Sequence, residues 1–208
     1  MDKKIFPDEP EIPILPNLFT AGNLVCGFFA ILTIFEGINQ ADSDAVAAFS
    51  YYQNATFLIF AACLFDLFDG RIARMRGQDG PFGREFDSLA DIVCFGVSPA
   101  ILCYRMGMRG LTGVAILLFY VLAGLIRLAW FNVSEEVRQD ETEEKRKYYQ
   151  GLPITSMAVL LPLLAVFKPM LGKREFMLSL HALVLLVGLL FITNFKFRKP
   201  CLLYTSPS

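Results

Sequence analysis

The sequence predicts an all-α integral membrane protein with six transmembrane helices. Of its 208 residues, 55% are hydrophobic and 20 are Phe, which is too apolar for an ordinary soluble domain. Six apolar runs, each near the roughly 20 residues that cross a hydrocarbon core, alternate with polar segments. The net charge of −1 provides no basic surface, so we expect no nucleic-acid partner.

The first three spans follow a polar, Pro-rich arm over residues 1–13. On the first span, Asn17, Thr20 and Asn23 recur at steps of three and therefore share one helix face. We expect this polar stripe mainly to form hydrogen bonds between helices. Pro99 is expected to kink the third span or to end its regular part. These spans are predicted at about residues 17–35, 55–72 and 86–104.

Within the last three spans, two residues have a basic side chain. Arg127 lies within the fourth span, and His181 lies within the sixth, where we expect a structural or interfacial role. The charged segment 134–150 separates the fourth span from the fifth, and its amphipathic pattern predicts a solvated or surface helix. These spans are predicted at about residues 111–131, 152–167 and 176–195, the fifth being the shortest.

The sequence also supports expectations about the domain limits, the cysteines and a signal peptide. We expect one membrane domain over residues 1–200, followed by a tail over 201–208 that continues no pattern in the chain. That tail predicts a truncated or misjoined reading frame. The five Cys are scattered without a CxxC pair, so we interpret them as small buried side chains. No small-residue cleavage site follows the first apolar run, so we predict no signal peptide.

Lys and Arg are distributed unevenly between the two sides of the predicted bundle. The arm, the 71–84 loop, the 134–150 segment and residues 196–199 hold thirteen of the 19 cations, and the opposite loops hold five. Positively charged loops remain in the cytoplasm. We therefore expect both termini and the loop at 71–84 to face the cytoplasm of a multi-pass membrane protein.

Four carboxylates cluster between the second and third spans. Asp66 and Asp69 are three residues apart, and Asp87 and Asp91 are four apart, so each pair shares one helix face. Close carboxylates repel one another, and a divalent cation relieves that repulsion. Oxygen ligands without nearby His or Cys favour Mg²⁺ or Mn²⁺, with Ca²⁺ as another acceptable occupant.

The residues between these acids are suited to a phosphate ester. Gly70 and Ala73 have little or no side chain and leave space beside a metal, and Arg74 can bind phosphate oxygens with its planar fork. Ion pairing between the acids and nearby arginines is the structural alternative for any single acid. For the whole set a functional site is favoured, because ionisable residues at membrane depth are costly and usually functional.

This stretch carries the pattern D-x2-D-G-x2-A-R-x8-G-x3-D-x3-D, which resembles the signature of the CDP-alcohol phosphotransferases. The match is complete at Asp66, Asp69, Gly70, Ala73, Arg74, Gly83, Asp87 and Asp91. The resemblance implies six helices around a polar cavity, a homodimer, one or two divalent ions and a nucleotide-linked lipid substrate.

Three further segments resemble the phosphatidylserine synthases of bacteria and archaea within that family. They are ILPNLFTAGNLVCGFFAI at 14–31, LIRLAWFNV at 125–133, and YQGLPITSMA at 149–158. The second has Trp130 where Arg is usual, and the third has Thr155 in place of a proline. The resemblance extends over about residues 12–200 and implies a prokaryotic cell membrane.

The reaction implied by this resemblance is CDP-diacylglycerol plus L-serine giving phosphatidylserine and CMP. All four aspartates are implied as metal ligands, and Asp91 also as the general base for the serine hydroxyl. Asp66, Asp69, Gly70, Ala73, Arg74, Gly80 and Gly83 are implied to bind CDP-diacylglycerol.

The acceptor site is less specified by the motif. Arg127 is the best candidate for the serine carboxylate, because a charge within an apolar span should face a cavity or a partner. Pairing with an acid on a neighbouring helix is the alternative. Asn132 and the backbone at Gly151 are weaker candidates for serine binding.

Other functions would use the same residues differently. Another acceptor, such as glycerol 3-phosphate or inositol phosphate, should require several cations near the site. A cation transporter would use the carboxylates as an ion pathway. The acids, however, cluster near one membrane face, with no matching set near the other. A purely structural membrane protein would leave four intramembrane carboxylates unexplained.

Overall fold

Six helical rods make up most of the described part of the chain in this computed structural model. The described residues are 14–76, 80–138, 148–150, 152–168, 170–193 and 196–198. The third rod contains two α-helices joined by a π-helical turn. The helices are α1 (Ile14–Gln40), α2 (Ala45–Arg76), α3 (Pro81–Asp91), the π-helical turn (Ile92–Val97), α4 (Ser98–Met106), α5 (Leu111–Arg138), α6 (Ser156–Phe167) and α7 (Lys173–Ile192).

The predicted class of all-α membrane protein is confirmed. Four of the described rods are long and apolar enough to cross a bilayer by length and composition: Ile14–Gln40, Phe82–Met106, Leu111–Ser134 and Lys173–Ile192. Of the other two, α2 has 32 residues but carries aspartates in its apolar half, and α6 has 12 residues. The short α6 and the charged α2 are therefore the two rods whose sequences least resemble simple membrane anchors.

Helices α1 and α2 form an antiparallel hairpin that extends beyond the predicted apolar spans. Only residues 41–44 separate them, whereas the sequence placed a longer polar connection there. The Asp44 carboxylate accepts hydrogen bonds from the backbone N–H groups of Val46 and Ala47, at 2.9 and 3.0 Å. This cap satisfies donors that the first turn of α2 would otherwise leave free, so polar sequence remains helical here.

The π-helical turn interrupts the third rod immediately after Asp91. Pro99 has no N–H and cannot donate to the carbonyl of Phe95, four residues earlier; the Tyr120 hydroxyl of α5 donates to that carbonyl instead. The Ser98 hydroxyl approaches the carbonyls of Val93 and Gly27, at 2.9 and 3.1 Å. The irregularity expected at Pro99 is therefore a wide helical turn, with its polar groups bonded to neighbouring helices.

The core lies around the third rod, which packs against α1, α2, α5 and α6, while α7 packs against α5. Small residues let α1 and α2 approach closely, and Ala30, Ala55 and Ala62 are fully buried between helices. Tyr120 of α5 packs its ring 5.6 Å from that of Phe191 of α7. Many large apolar side chains point outward, as expected where hydrocarbon replaces water as the surrounding solvent.

Two short strands are an exception to the otherwise helical fold. Strands β1 (Tyr148–Gln150) and β2 (Lys196–Arg198) pair in antiparallel fashion, with Tyr149 opposite Phe197. The helix predicted over 134–150 is therefore only partly correct: α5 continues to Arg138, and the segment ends as a strand. The connecting segments come together at one end of the bundle, where their backbones can pair. The arm at 1–13 and the tail at 201–208 lie outside the described residues.

Candidate active site

Three aspartates from two helices converge at the end of α2. Asp66 and Asp69 lie one turn apart on α2, and Asp87 projects from α3. One carboxylate oxygen of each lies within 4.8 Å of the others. Asp69 is 3% exposed, whereas Asp66 and Asp87 are half-buried. Three of the four acids that the sequence places on successive helices are thus brought together.

Asp91 lies beside this group and deeper in the protein. Its side chain is 6% exposed, and it lies near Asp66, Asp69 and Asp87. One of its oxygens accepts a hydrogen bond of 2.9 Å from the Asn23 amide of α1. Asp91 does not join the cluster of three that could hold one ion. Its position is therefore distinct from that of the other aspartates.

Helix α1 provides neutral hydrogen-bond donors to the acids. The Thr20 hydroxyl donates to Asp69 Oδ2 at 2.8 Å, and the Asn23 amide donates to Asp91 Oδ1. Thr20 is 3% exposed and Asn23 is fully buried. The predicted interhelical role of the polar stripe is confirmed for these two residues. Sequence reasoning did not identify their partners, because the three-residue spacing indicates a helix face and not what packs against it.

The donor set fits a divalent cation. Asp69 Oδ1 is buried and has no hydrogen-bond partner among the described residues. Within that same part of the chain, neither Asp69 nor Asp91 forms an ion pair with Lys or Arg. Carboxylates this close together repel one another, and a low dielectric strengthens that repulsion. The three aspartates could together hold one ion, and an all-oxygen set suits Mg²⁺ or Mn²⁺ better than Zn²⁺.

Space remains beside the aspartates at the start of α3. A Cβ built on Gly80 would meet no atom within 4 Å, and one on Gly83 would meet only Asn17 Oδ1, at 3.6 Å. The described protein therefore does not fill the volume next to these glycines. The side chains of Ala73 and Arg74 lie outside the described residues, and so does the whole of Gly151.

Helix α5 contributes the two described candidates for acceptor binding. Arg127 is half-buried within an apolar span and has no hydrogen-bond or ion-pair partner in the described chain. Asn132 bridges α5 to α3: its amide donates to Glu85 Oε1, and its carbonyl accepts from the Ser88 hydroxyl, both at 3.1 Å. The two residues thus differ, because Asn132 is already engaged on the protein and Arg127 is not.

The sequence matches the family model described as CDP-alcohol phosphatidyltransferase over residues 13–193. Three similar proteins are each named CDP-diacylglycerol–serine O-phosphatidyltransferase. The Saccharomyces cerevisiae protein is 37% identical over 76% of this chain and 58% of its own length. The Helicobacter pylori protein is 34% identical over 88% of this chain and 71% of its own. The Bacillus subtilis protein is 31% identical over 76% of this chain and 78% of its own. This chain therefore spans between about half and four fifths of the relatives it matches.

Proposed function

Because the chain belongs to the CDP-alcohol phosphatidyltransferase family, we propose that it transfers a phosphatidyl group from CDP-diacylglycerol to the hydroxyl of L-serine. The products are phosphatidylserine and CMP. The observation that carries this proposal is the convergence of Asp66, Asp69 and Asp87 beside the separately held Asp91. The serine specificity follows the names of the similar proteins.

In this proposal, Asp66, Asp69 and Asp87 would hold Mg²⁺ or Mn²⁺, and the nearby Asp91 would be a further ligand. A bound ion would neutralise the pyrophosphate and the negative charge that develops on departing CMP. The Thr20 hydroxyl orients Asp69 through Oδ2, which leaves the unpartnered Oδ1 as the ligand atom. Such outer hydrogen bonds fix the direction in which a ligand oxygen points.

Asp91 is proposed as the general base. The serine oxygen forms a bond to the phosphorus of the phosphatidyl group, the bond from that phosphorus to the CMP oxygen breaks, and the hydroxyl proton passes to Asp91. The Asn23 amide donates to Asp91 Oδ1 and so fixes the orientation of the carboxylate that would receive the proton. With Asp91 only 6% exposed, the acceptor hydroxyl must enter a site from which most water is excluded.

The nucleotide is proposed to lie along the end of α2 and the start of α3. The lack of side chains at Gly70, Gly80 and Gly83 and the small Ala73 would permit close approach of CDP, and Arg74 would contact phosphate. The open space at Gly80 and Gly83 supports this placement. Apolar residues next to the aspartates, such as Phe68 and Leu89, are 51% and 65% exposed, so the diacyl chains can remain in lipid.

Arg127 is proposed to bind the carboxylate of serine, with Asn132 and the Gly151 backbone contributing polar contacts. A guanidinium without a partner in an apolar span is suited to an anionic ligand. Arg127→Gln should raise the KM for serine at least ten-fold and leave the KM for CDP-diacylglycerol within two-fold. Steady-state kinetics with each substrate varied in turn would measure both. Equal changes in the two KM values would contradict a serine-specific role.

The site is proposed to face the cytoplasm, in the cell membrane of a prokaryote, and the protein to act as a homodimer. The excess of Lys and Arg on the side of the aspartates supports the orientation. Cross-linking in native membranes, followed by gel electrophoresis, would test the dimer. A monomer under conditions that preserve activity would exclude it.

The decisive experiment is CMP release by purified protein in detergent micelles with CDP-diacylglycerol and Mn²⁺ or Mg²⁺. We expect release that depends on L-serine and on the metal. Asp91→Asn should lower the turnover at least 10³-fold while CDP-diacylglycerol still binds, because the amide cannot accept the proton. Asp42→Asn, in the exposed turn after α1, is the matched control and should leave release unchanged.

Three other results of this experiment would change or contradict the proposal. Release that depends on glycerol 3-phosphate or inositol phosphate, and not on serine, would retain the metal chemistry and replace the acceptor. Full activity in Asp91→Asn would remove the general base from the proposal. Metal transport across vesicles without CMP release would contradict the transferase function altogether.

A further inference from the structure

A cavity lies far from the aspartates, between α2, α4 and α6. Its volume is about 550 Å³. Tyr52 on its wall is 17 residues from Asp69 along α2, which places the cavity about 25 Å from the acids at 1.5 Å per residue. The cavity therefore belongs to the opposite face of the bundle and contributes nothing to the site described above.

Two cations stand at one end of this cavity. Arg105, at the end of α4, donates from Nε to the Tyr52 hydroxyl at 2.6 Å, and Tyr52 in turn donates to the carbonyl of Gly37 at 2.9 Å. Lys168, just after α6, has its ammonium 4.6 Å from the centroid of the Phe49 ring. Neither cation forms an ion pair within the described chain. These two successive hydrogen bonds, from Arg105 to Tyr52 and from Tyr52 to Gly37, hold the guanidinium in place. The terminal N–H groups of Arg105 remain available for an anion.

The other end of the cavity is apolar and open to the surroundings of the bundle. Phe60 lies eight residues beyond Tyr52 on α2, which is about 12 Å further into the bundle. Phe57 and Phe60 line this part and are 70% and 40% exposed, and Val166, which is 70% exposed, lines the wall of α6 nearer Lys168. Positive charge at the membrane face and an open apolar wall at depth match an amphiphile with an anionic head.

We propose that this cavity binds one anionic phospholipid of the leaflet opposite the aspartates. Its phosphate would lie between Arg105 and Lys168, and an acyl chain would lie along Phe57, Phe60 and Val166. A peptide segment is less suited to the cavity, because it would place backbone groups against the apolar wall without hydrogen-bond partners. The charge complementarity commits the site to an acidic rather than a zwitterionic lipid.

Native mass spectrometry of the full chain, released from neutral detergent micelles, tests this inference without using catalysis. We expect phosphatidylglycerol to be retained as one bound lipid at least five-fold more often than phosphatidylcholine of the same acyl chains. Lys168→Gln and Arg105→Gln should each remove most of that preference. Arg109→Gln is the control, since its guanidinium lies near Tyr104 at the same membrane face and outside the cavity.

Val166→Trp tests the apolar wall separately from the charges. The added indole should fill part of the cavity and reduce lipid retention. Because Val166 is exposed, the larger side chain should not disturb folding, so misfolding would not explain a loss of lipid. Equal retention of both lipids, or unchanged retention in the variants, would overturn the proposal. Inorganic phosphate that competes fully with the lipid would reduce the site to a simple anion site. A shift from dimer to monomer in Val166→Trp, with lipid retention unchanged, would assign the cavity to a second copy of the chain.

Discussion

At the scale of single residues, neutral donors and not cations hold the buried carboxylates. Thr20 and Asn23 each donate one hydrogen bond to an aspartate, which fixes the carboxylate without cancelling its charge. An ion pair with Arg or Lys would stabilise these carboxylates in the empty site. A metal cation would then have to displace that Arg or Lys in order to bind. Neutral donors therefore keep the site's negative charge available to a metal.

Thr20→Val tests this arrangement. The valine has nearly the same shape but cannot donate to Asp69, so the apparent affinity for Mn²⁺ should fall about ten-fold, as is usual when an outer hydrogen bond to a metal ligand is lost. Isothermal titration with Mn²⁺ would measure the affinity.

Thr33→Val is the matched control on the same helix. Among the described residues, the Thr33 hydroxyl bonds only to the carbonyl of Phe29 within α1, at 2.7 Å, so its replacement should leave the Mn²⁺ affinity unchanged. An equal loss in both variants would show a general effect on α1 rather than an effect on Asp69.

The spacing of the aspartates predicted a candidate site, but it did not predict which residues support those aspartates. The aspartates were recognisable because their spacing within each helix is local. The partners of Thr20 and Asn23 are 49 and 68 residues away in the chain, and only the packing of α1 against α2 and α3 defines them. Arg127 shows the same limit of sequence analysis. The sequence reveals a charged side chain within an apolar span, but it does not reveal which ligand that side chain binds.

At the scale of elements, the close approach of α1 to the π-helical turn determines where Asp91 lies. A Cβ built on Gly27 would lie 3.0 Å from the Cα of Cys94, and the Cys94 thiol donates to the Asn23 carbonyl at 3.1 Å. The backbones of α1 and the third rod are therefore in near contact one turn from the Asn23–Asp91 hydrogen bond.

Gly27→Ala should consequently disturb the site. The new methyl group meets backbone, which cannot rotate away, so α1 must shift and the Asn23–Asp91 bond should lengthen. We expect a melting temperature lower by several degrees and CMP release reduced at least ten-fold. Thermal unfolding in detergent and the CMP assay would measure the two effects.

Gly22→Ala is the comparison on the same helix. Its methyl group would meet the Phe65 ring at 3.0 Å, and that ring is 36% exposed and can turn aside. The gain in helix propensity, about 1 kcal/mol, should offset the contact. If both alanine variants behaved alike, helix propensity and not the close approach would explain the result.

At the scale of the whole molecule, hydropathy predicted the helices better than it predicted their ends. The six apolar runs all lie mainly within helices, but α1 and α2 continue into polar sequence because a capped four-residue turn joins them. The pairing of β1 with β2 had no counterpart in the sequence pattern. It joins segments separated by two helices, and neither is long enough to show alternation.

The orientation of the bundle can be tested by cysteine labelling in intact cells, starting from a Cys201→Ser background. The described cysteines are buried or half-buried, so native labelling should be low. With a membrane-impermeant maleimide, Ser43→Cys in the turn after α1 should be labelled directly. Ser134→Cys near the end of α5 should be labelled only after permeabilisation. The reverse pattern would place the aspartates outside.

The π-helical turn also determines where the third rod can lose a residue. An α-helix turns by about 100° per residue, so a deletion within α4 would rotate the part of α4 beyond it out of phase with Asp87 and Asp91. The turn at Ile92–Val97 contains one residue more than an α-helical turn of the same rod requires. Removing a residue there would return the segment to ordinary helix and leave both halves in phase. This turn is therefore the one place along the rod where a shorter homologous sequence could keep its acids aimed in the same direction.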